Sequence, residues 1–440
     1  MLDKLFSDKN LEKLSILLIL ISCVSFFGGY YFNENSAGAG GLNGDFKNTW
    51  RNISTFSKNN FFDAINLTAT SNSDIYQSSR TPLFYIINKY LNPFTSSQES
   101  YISSIFIFSL FIPLIFYYSL LVKYKNANRV ALLLICSILL LSPYFRTSAY
   151  WGLEENIGIL FLILSSVFLN KFYLNNNKKK LYNYSLIFLT TLCSSATFYF
   201  DQKLLIIPLI CFLQIILKNT ELRYKLATII FFSFFTIPYL YLIFLWGSII
   251  PTHDAIARNV GQTLHLNHIG YTATILSFYF LPLFFLKKNN LNQLLNIFSK
   301  NKLNFYLIGI FILYIIYLLI FHEFEKEHFL GKGIVHKFST MFIEDILVRK
   351  IFVYSSFFLS WILILVFYEN NKNIFLYVLY FLIITVFIYP IMQEYFDPII
   401  FLLFFLFLKI DINFSFKAVV PTCLYFLLFL VVANLHYYKL

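Results

Sequence analysis

The chain has 440 residues, of which 58% are hydrophobic, 21% aromatic and only 13% charged. Soluble proteins carry about 25% charged residues on average, so this composition excludes a soluble protein and predicts that lipid surrounds most of the chain. The formal net charge of +12 does not indicate nucleic-acid binding, because Lys and Arg lie in short clusters between apolar segments, as topology signals do.

The N-terminal segment predicts an uncleaved membrane anchor. Three lysines precede an apolar run over residues 14–31, and a positive flank of this kind places the N-terminus in the cytoplasm. The alternative is a cleaved signal peptide, because residues 37–39 read Ala-Gly-Ala, as signal-peptidase sites do. This tripeptide lies several residues beyond the apolar run, which favours the anchor.

Further apolar segments approach the roughly twenty residues that a helix needs to cross the hydrocarbon core. They lie at residues 101–122, 130–145, 156–172, 182–200, 204–217, 226–246, 270–286, 305–321, 351–368, 374–391, 397–409 and 418–435. With the first span they predict an all-α polytopic membrane protein of 13 transmembrane helices in one domain, residues 1–440. The five cysteines all lie inside apolar segments, which predicts buried small side chains rather than disulfides or a metal site.

The distribution of charge predicts which side of the membrane each connection faces. The connections assigned to the cytoplasm hold 20 of the 34 Lys and Arg but only 6 of the 22 Asp and Glu, as the positive-inside rule requires. The three long connections, residues 32–100, 247–269 and 322–350, then face the opposite side. The cytoplasmic connection 287–304 predicts an interfacial amphipathic helix. Because the spans carry almost no charge, polar chemistry is expected at the extracytoplasmic interface.

The first long connection contains a candidate general base. Asp45 follows the glycine-rich run 40–44 shortly after the first span. A carboxylate held at the membrane surface can act as a general base when partial burial raises its proton affinity. The alternative is an acid in an ordinary Gly-Asp turn.

Further along this connection, Thr81-Pro82 predicts the start of a helix over residues 83–91, since proline is tolerated in a first helical turn. Arg80 would lie at this N-terminus, where a guanidinium and the helix dipole could hold a phosphate. The alternative is an arginine that reaches out to the lipid head groups.

The next extracytoplasmic turn carries two adjacent acids, Glu154 and Glu155, at the mouth of a span, where unpaired charges are costly. They could bind sugar hydroxyls, orient a base or, with waters, ligate a divalent ion. Adjacent residues of a helix point in different directions, so one acid is expected to face the site and Arg146 to neutralise the other. Tyr150 and Trp151 are either anchors in the aromatic belt or platforms for sugar stacking.

Later extracytoplasmic segments add cations and histidines. Asp201, Gln202 and Lys203 lie between two spans. The 322–350 connection contains His322, Glu323, Glu325, His328, Lys332, His336 and Lys337. These histidines match no metal-ligand spacing, so we predict a solvated charged loop without a metal, in which Lys332 and Lys337 could contact phosphate. A weaker set, His253, Asp254 and Arg258, lies in the 247–269 connection. The sequence has no Walker, G-x-S-x-G or G-x-G-x-x-G motif, which gives nucleotide binding no support.

Together these motifs resemble the GT-C superfamily, the multi-spanning glycosyltransferases that use polyprenyl-phosphate sugars, and most nearly its dolichyl-phosphate-glucose alpha-1,2-glucosyltransferase family. Residues 81–85 match that family's Thr-Pro-x-x-Tyr segment. Residues 150–154 loosely follow its Tyr-Tyr-Thr-Asp turn, and residues 393–396 its Glu-x-Arg-Tyr-Phe motif. The chain departs from the family in having Gly44-Asp45 where the family has Asp-Glu, and in lacking the arginine of the late motif.

The resemblance implies an enzyme that transfers a sugar from a polyprenyl-phosphate donor in the lipid bilayer to a lipid-linked glycan or a protein on the extracytoplasmic face. Asp45 would be the general base, and Glu154 or Glu155 would position the acceptor or the base. The implied donor-phosphate contacts are Arg80, Arg146, Lys203, Lys332 and Lys337, and the implied substrate contacts are Tyr85, Tyr150, Trp151, Glu394 and Tyr395. No cofactor is required, although dependence on a divalent cation, Mg²⁺ or Mn²⁺, varies within the superfamily. The expected location is a bacterial inner membrane, or the endoplasmic reticulum in a eukaryote.

Two other functions are compatible with this topology. A polymerase or ligase of lipid-linked glycans also has many spans, but it relies on arginines and histidines in its outer loops, where arginines are few in this chain. A flippase or transporter of glycolipids would need charges in mid-span and discontinuous helices in matching halves. The sequence favours the glycosyltransferase.

Overall fold

A computed structural model describes residues 8–37, 44–70, 80–175, 180–218, 221–251, 264–286, 302–321, 324, 331–408 and 412–437. Within these ranges the regular structure is helical throughout, without a strand, which confirms the predicted all-α class. The chain divides into two compact units. The first comprises Met1–Ala255, Phe405–Phe407 and Cys423–Leu440, and the second comprises Ile256–Phe404 and Leu408–Thr422.

The first unit is built around two long neighbouring helices. Its helices are α1 (Asp8–Tyr31), α2 (Asp45–Lys58), α3 (Phe61–Ala69), α4 (Leu83–Leu91), α5 (Gln98–Lys123), α6 (Arg129–Ser137), α7 (Pro143–Tyr150), α8 (Glu155–Leu174), α9 (Lys180–Phe200), α10 (Ile206–Lys218) and α11 (Leu222–Trp246). Helix α8 packs on α5 and α9, and α9 also packs on α11. The interior position of α9 is compatible with its polar residues, because Thr190, Ser194 and Thr197 donate hydrogen bonds to carbonyls of the preceding turn.

The second unit is built around α12 (His268–Phe285). Its other helices are α13 (Lys302–Phe321), α14 (Gly333–Phe342), α15 (Ile346–Asn370), α16 (Ile374–Phe387) and α17 (Ile399–Leu406). Helix α12 packs on α14, α15 and α16. The last helix, α18 (Phe416–Tyr437), contributes residues to both units.

Six helices are long and apolar enough to cross a membrane, namely α1, α5, α8, α11, α15 and α18. The bent pair α6–α7 is a seventh candidate, and α12, α13 and α16 are shorter apolar helices. Each predicted span coincides with one of the helices or with this pair. The lengths and compositions of these helices indicate a multi-pass membrane protein.

One predicted span is not a straight helix. The span predicted over residues 130–145 is a bent pair, in which α6 and its terminal 3₁₀ turn make an angle of 63° with α7. Pro143 has no N–H to continue the helical ladder. Ser142 caps α7 instead, by accepting a hydrogen bond from the backbone N–H of Phe145 at 3.1 Å. The amphipathic helix predicted over 287–304 lies outside the described residues, except for 302–304, where α13 begins.

Substitution of Gly270 by alanine is expected to destabilise the second unit. A Cβ at this position would overlap Cγ, Cδ2 and Cε2 of the Phe357 ring, which packs α15 against α12. Overpacking of this kind costs about 1–3 kcal/mol. Thermal unfolding in detergent should show a lower midpoint for Gly270→Ala. Gly309→Ala is the matched control, since a Cβ at Gly309 of α13 meets nothing within 4 Å. An equal effect of both substitutions would contradict the packing argument.

Candidate functional site

Five charged side chains meet where three segments of the first unit come together. Arg80 precedes α4, Glu154 and Glu155 begin α8, and Asp201 and Lys203 follow α9. Arg80 forms ion pairs with three carboxylates: its Nε lies 2.7 Å from Glu154 Oε1, its Nη2 3.2 Å from Glu155 Oε1, and its Nη1 3.3 Å from Asp201 Oδ1. Lys203 Nζ lies 2.9 Å from Asp201 Oδ2. We call these five residues the acid cluster.

The turn before α8 places the two glutamates. Gly152 adopts a left-handed conformation with φ +67°. A Cβ there would lie 2.8 Å from the Tyr101 ring, so glycine is needed for both conformation and space. The Tyr101 hydroxyl donates a hydrogen bond to the Gly152 carbonyl at 2.6 Å. Ser148 accepts a hydrogen bond from the Asn156 backbone N–H at 3.3 Å, which joins the end of α7 to the first turn of α8.

Burial separates the proton affinities of two acids in the cluster. Glu154 is 3% exposed and Asp201 is 1% exposed. Burial, followed by the negative charge of Glu155, raises the pKa of Glu154 to about 8, although Arg80 acts in the opposite direction. Burial also acts to raise the pKa of Asp201, but Lys203 and Arg80 outweigh it and the net pKa is lowered. Neighbouring acids whose pKa values are displaced in opposite directions are typical of acid–base sites.

Asp45, the base predicted from sequence, is the first residue of α2 and its side chain is exposed. Its neighbour Phe46 is buried and stacks on Tyr101, with ring centroids 6.3 Å apart. Trp50, one turn further, lies 5.5 Å from the same ring. Helix α2 therefore begins beside the tyrosine that contacts Gly152. Residues 40–43 of the glycine-rich run lie outside the described residues.

Tyr85, a predicted substrate contact, lies in α4 and interacts with Tyr101. The predicted helix over 83–91 is confirmed with the same bounds in α4. Tyr85 is buried, and its hydroxyl accepts a hydrogen bond from Asn52 Nδ2 at 3.1 Å. Tyr85 and both glutamates of the cluster are near enough to the Tyr101 hydroxyl to interact with it electrostatically. The Tyr101 hydroxyl therefore interacts both with Tyr85 and with the two glutamates of the cluster.

Arg146 does not neutralise either glutamate of the cluster, so that prediction is wrong. Arg146 is 1% exposed and pairs with Glu34 through Nε, at 2.8 Å, and through Nη2. Its remaining donors bond to Ser25 and to the Leu140 carbonyl. A phosphate would have to displace these protein acceptors, so we do not include Arg146 among the donor contacts.

Tyr150 and Trp151 are both buried. The Tyr150 hydroxyl donates to the Phe26 carbonyl at 2.7 Å, and its ring packs on Phe26 and Tyr30 of α1. An aromatic-belt anchor would be exposed to the membrane interface, and a stacking platform would offer a free ring face. For Tyr150 the contacts with α1 indicate a packing role.

The second unit brings together two other predicted segments. Lys332 has a left-handed backbone, φ 64°, and its N–H donates to the Ile391 carbonyl at 2.7 Å. Gln393 donates to the Tyr279 hydroxyl at 3.4 Å in the turn that also contains Glu394 and Tyr395. Glu394 is half-buried and Tyr395 is buried. The turn before α14 and the turn after α16 are therefore neighbours.

The prediction that residues 322–350 form a solvated loop is wrong for its described part. Helix α14 lies there, and Lys332 and His336 are 2% and 1% exposed. Both contact Tyr271 of α12: Lys332 Nζ lies 5.5 Å from the ring centroid, and the His336 ring 5.6 Å from it. Burial lowers the pKa of Lys337 to about 8. The turn is buried because α14 packs on α12.

Several other predicted groups lie outside the described residues, namely His253, Asp254, Arg258, His322, Glu323, Glu325 and His328. Among the described residues there is no group of three or more His, Cys, Asp and Glu side chains that could hold a metal ion. In the acid cluster, Arg80 and Lys203 lie against the oxygens that a divalent cation would need.

No known protein family, curated protein or solved structure matches this chain. Its function is therefore inferred from the chemistry of the site.

Two contributors to this region were missed in the sequence. Glu34 pairs with Arg146, and its signal was an acid directly after the first span, where an unpaired charge is costly. Tyr101 links α2 to the Gly152 turn. No pattern in the sequence marks it, because one tyrosine among 32 carries no information about its partners.

Proposed function

We propose that this chain is a GT-C-like membrane glycosyltransferase that moves a sugar from a polyprenyl-phosphate donor to a lipid-linked glycan or another acceptor on the extracytoplasmic face. The observation that supports it most is the acid cluster, in which one arginine pairs with three acids from two other segments and one of those acids has a raised pKa. A structural ion pair needs only two groups. Burying several charged groups at a helix end costs free energy, and such clusters are typical of sites of acid–base chemistry.

Sugar transfer requires two services from the protein. A base must remove the proton of the acceptor hydroxyl as its oxygen bonds to the anomeric carbon. Positive charge must stabilise the phosphate as the bond from that carbon to the phosphate oxygen breaks. There are two candidate bases. The resemblance to the GT-C superfamily suggests Asp45, and the burial of its side chain suggests Glu154. Lys203 is the candidate phosphate contact within the acid cluster.

The proposal includes the finer topology. We propose 13 spans with a cytoplasmic N-terminus, in a bacterial inner membrane or the endoplasmic reticulum. The excess of Lys and Arg in the short connections supports this orientation, and it assigns the segments that hold the acid cluster and the α14 turn to the extracytoplasmic side.

The direct test is an assay of the purified chain in lipid nanodiscs with radiolabelled polyprenyl-phosphate glucose, mannose and galactose. The host lipid extract serves as the acceptor pool. Label should appear in a new glycolipid as polyprenyl phosphate is released. Lys203→Gln is expected to slow transfer about 10- to 100-fold, because a charge-assisted contact of about 1.5–3 kcal/mol to the leaving phosphate is lost.

Glu99→Gln is the control, since Glu99 is an exposed acid in the first turn of α5. It should transfer at the wild-type rate. If the wild-type chain consumes none of the donors but moves them across vesicle membranes, the chain is a flippase and the proposed function is wrong.

A further inference from the structure

The carboxyl group of Glu154 is held at one oxygen only. Its Oε1 lies 2.7 Å from Arg80 Nε. Its Oε2 is buried and makes no hydrogen bond to any described part of the chain. A buried carboxylate oxygen that lacks a donor loses its hydration without compensation. The position is therefore suited to a donor that arrives with a ligand.

The other two acids of the cluster have a partner at both oxygens. Glu155 is bound through Oε1 to Arg80 Nη2 and through Oε2 to Ser148 Oγ, at 3.2 Å each. Asp201 Oδ1 accepts from the Lys203 backbone N–H at 3.1 Å. Asp201 Oδ2 makes no hydrogen bond of good geometry, but it is ion-paired with Lys203 Nζ at 2.9 Å. Neither can take a proton from a ligand without weakening an existing bond. Glu154 can.

We propose that Glu154 Oε2 accepts the proton of the acceptor hydroxyl, an inference that rests on the proposed sugar transfer. The acceptor O–H bond breaks and its proton bonds to Oε2. The electron pair left on the acceptor oxygen forms the new bond to the anomeric carbon. The bond from that carbon to the donor phosphate oxygen breaks, and its electron pair leaves with the phosphate.

Within this step Arg80 is a positioning residue. It holds Oε1 and leaves Oε2 as the accepting atom, and it is itself held by Glu155 and Asp201. Asp45 is less suited to the role, because its side chain is exposed. Burial is what raises the proton affinity of a carboxylate toward the working range of a general base.

The charged and titratable groups that act on Glu154 come from each segment around it. Arg80 and the backbone N–H of Glu154 itself favour its ionised form, whereas burial, Glu155 and Asp201 favour its protonated form. Lys203 pairs with Asp201, and the Tyr101 hydroxyl interacts electrostatically with Glu154. Since the pKa of Glu154 is raised to about 8, a reaction that needs the ionised form should speed up with rising pH and level off above this value.

The test measures kcat/KM for polyprenyl-phosphate glucose across pH with the full-length chain in nanodiscs. Glu154→Gln keeps the side-chain size and should lower kcat/KM about 10²- to 10⁴-fold, the contribution of a general base. Asp45→Asn should lower it less. Glu155→Gln removes a like charge, so it should move the midpoint of the pH profile of the remaining activity to lower pH. Glu99→Gln should match the wild type.

Wild-type kcat/KM in Glu154→Gln, or a larger loss in Asp45→Asn than in Glu154→Gln, would overturn the assignment. Gel filtration of each variant reports folding. If Glu154→Gln fails to fold, the Glu155→Gln profile decides, and a midpoint that stays at the wild-type pH rejects Glu154 as the base. These outcomes presuppose a wild-type chain that transfers sugar. A wild type that transfers none contradicts the proposed function instead.

Discussion

Replacement of Arg146 by methionine is expected to reduce the free energy of unfolding by about 3–5 kcal/mol, the cost of breaking a buried ion pair by removing one partner. Arg146 is 1% exposed and Glu34 is 7% exposed. The variant would leave the Glu34 carboxylate buried without its cation. It would also leave the Leu140 and Ser25 carbonyls without the guanidinium donors that they now accept from.

The double variant Arg146→Met/Glu34→Gln should be more stable than Arg146→Met alone, because it removes the stranded charge as well. The measurement is the midpoint of denaturant unfolding in detergent micelles. Arg223→Met is the matched control, since Arg223 pairs with Glu221 at the surface and is 37% exposed. An exposed pair is worth about 0–1 kcal/mol. Equal destabilisation by Arg146→Met and Arg223→Met would show that the Glu34–Arg146 pair does not stabilise the fold.

Arg80→Gln is expected to lower kcat for sugar transfer about 10²- to 10³-fold, the usual cost of removing one preorganised charged contact. Arg80 favours the ionised form of Glu154, so its loss should raise the pKa of that acid further. The pH profile of the remaining activity should therefore shift to higher pH. Arg80→Lys should recover part of the rate only, because one ammonium cannot bind three carboxylates as the guanidinium does.

Donor affinity distinguishes the two roles of Arg80. The sequence assigned Arg80 to the donor phosphate, and in that case Arg80→Gln would raise the KM of polyprenyl-phosphate glucose while the pH midpoint stays in place. A positioning role predicts a lower kcat, a shifted midpoint and little change in the donor KM. Both quantities come from one set of rate measurements across pH. A raised KM for the donor with an unshifted midpoint of the pH profile would show that Arg80 contacts the donor phosphate.

The helices could be predicted from the sequence because each depends on residues that are close together in the chain. Apolar runs and short basic clusters marked the spans, and Thr81-Pro82 marked the start of α4 at Leu83. The helix break at Ser142 also has a local signal, a serine followed by a proline. This signal was missed because the residues on both sides are apolar. Hydropathy records how much of a segment is apolar and not where its helix bends.

The pairing of charges was not readable, because it depends on contacts between residues far apart in the chain. The sequence showed that Glu154, Glu155, Asp201, Arg80 and Arg146 lie at helix ends. It could not show that Arg80 pairs with Glu154 and also with Asp201, which lies 121 residues from Arg80. Nor could it show that Arg146 pairs with Glu34.

The sequence by itself determined the helical class, the apolar segments that suit a membrane and the positions of the polar turns between them, since each follows from neighbouring residues. Only the tertiary structure decided which acid is buried and which cation faces it. A carboxylate acquires its proton affinity from the groups and the solvent around it, and these come from whichever segments the fold places there. Glu154 and Asp45 are both acids near the start of a helix, and burial is what separates them.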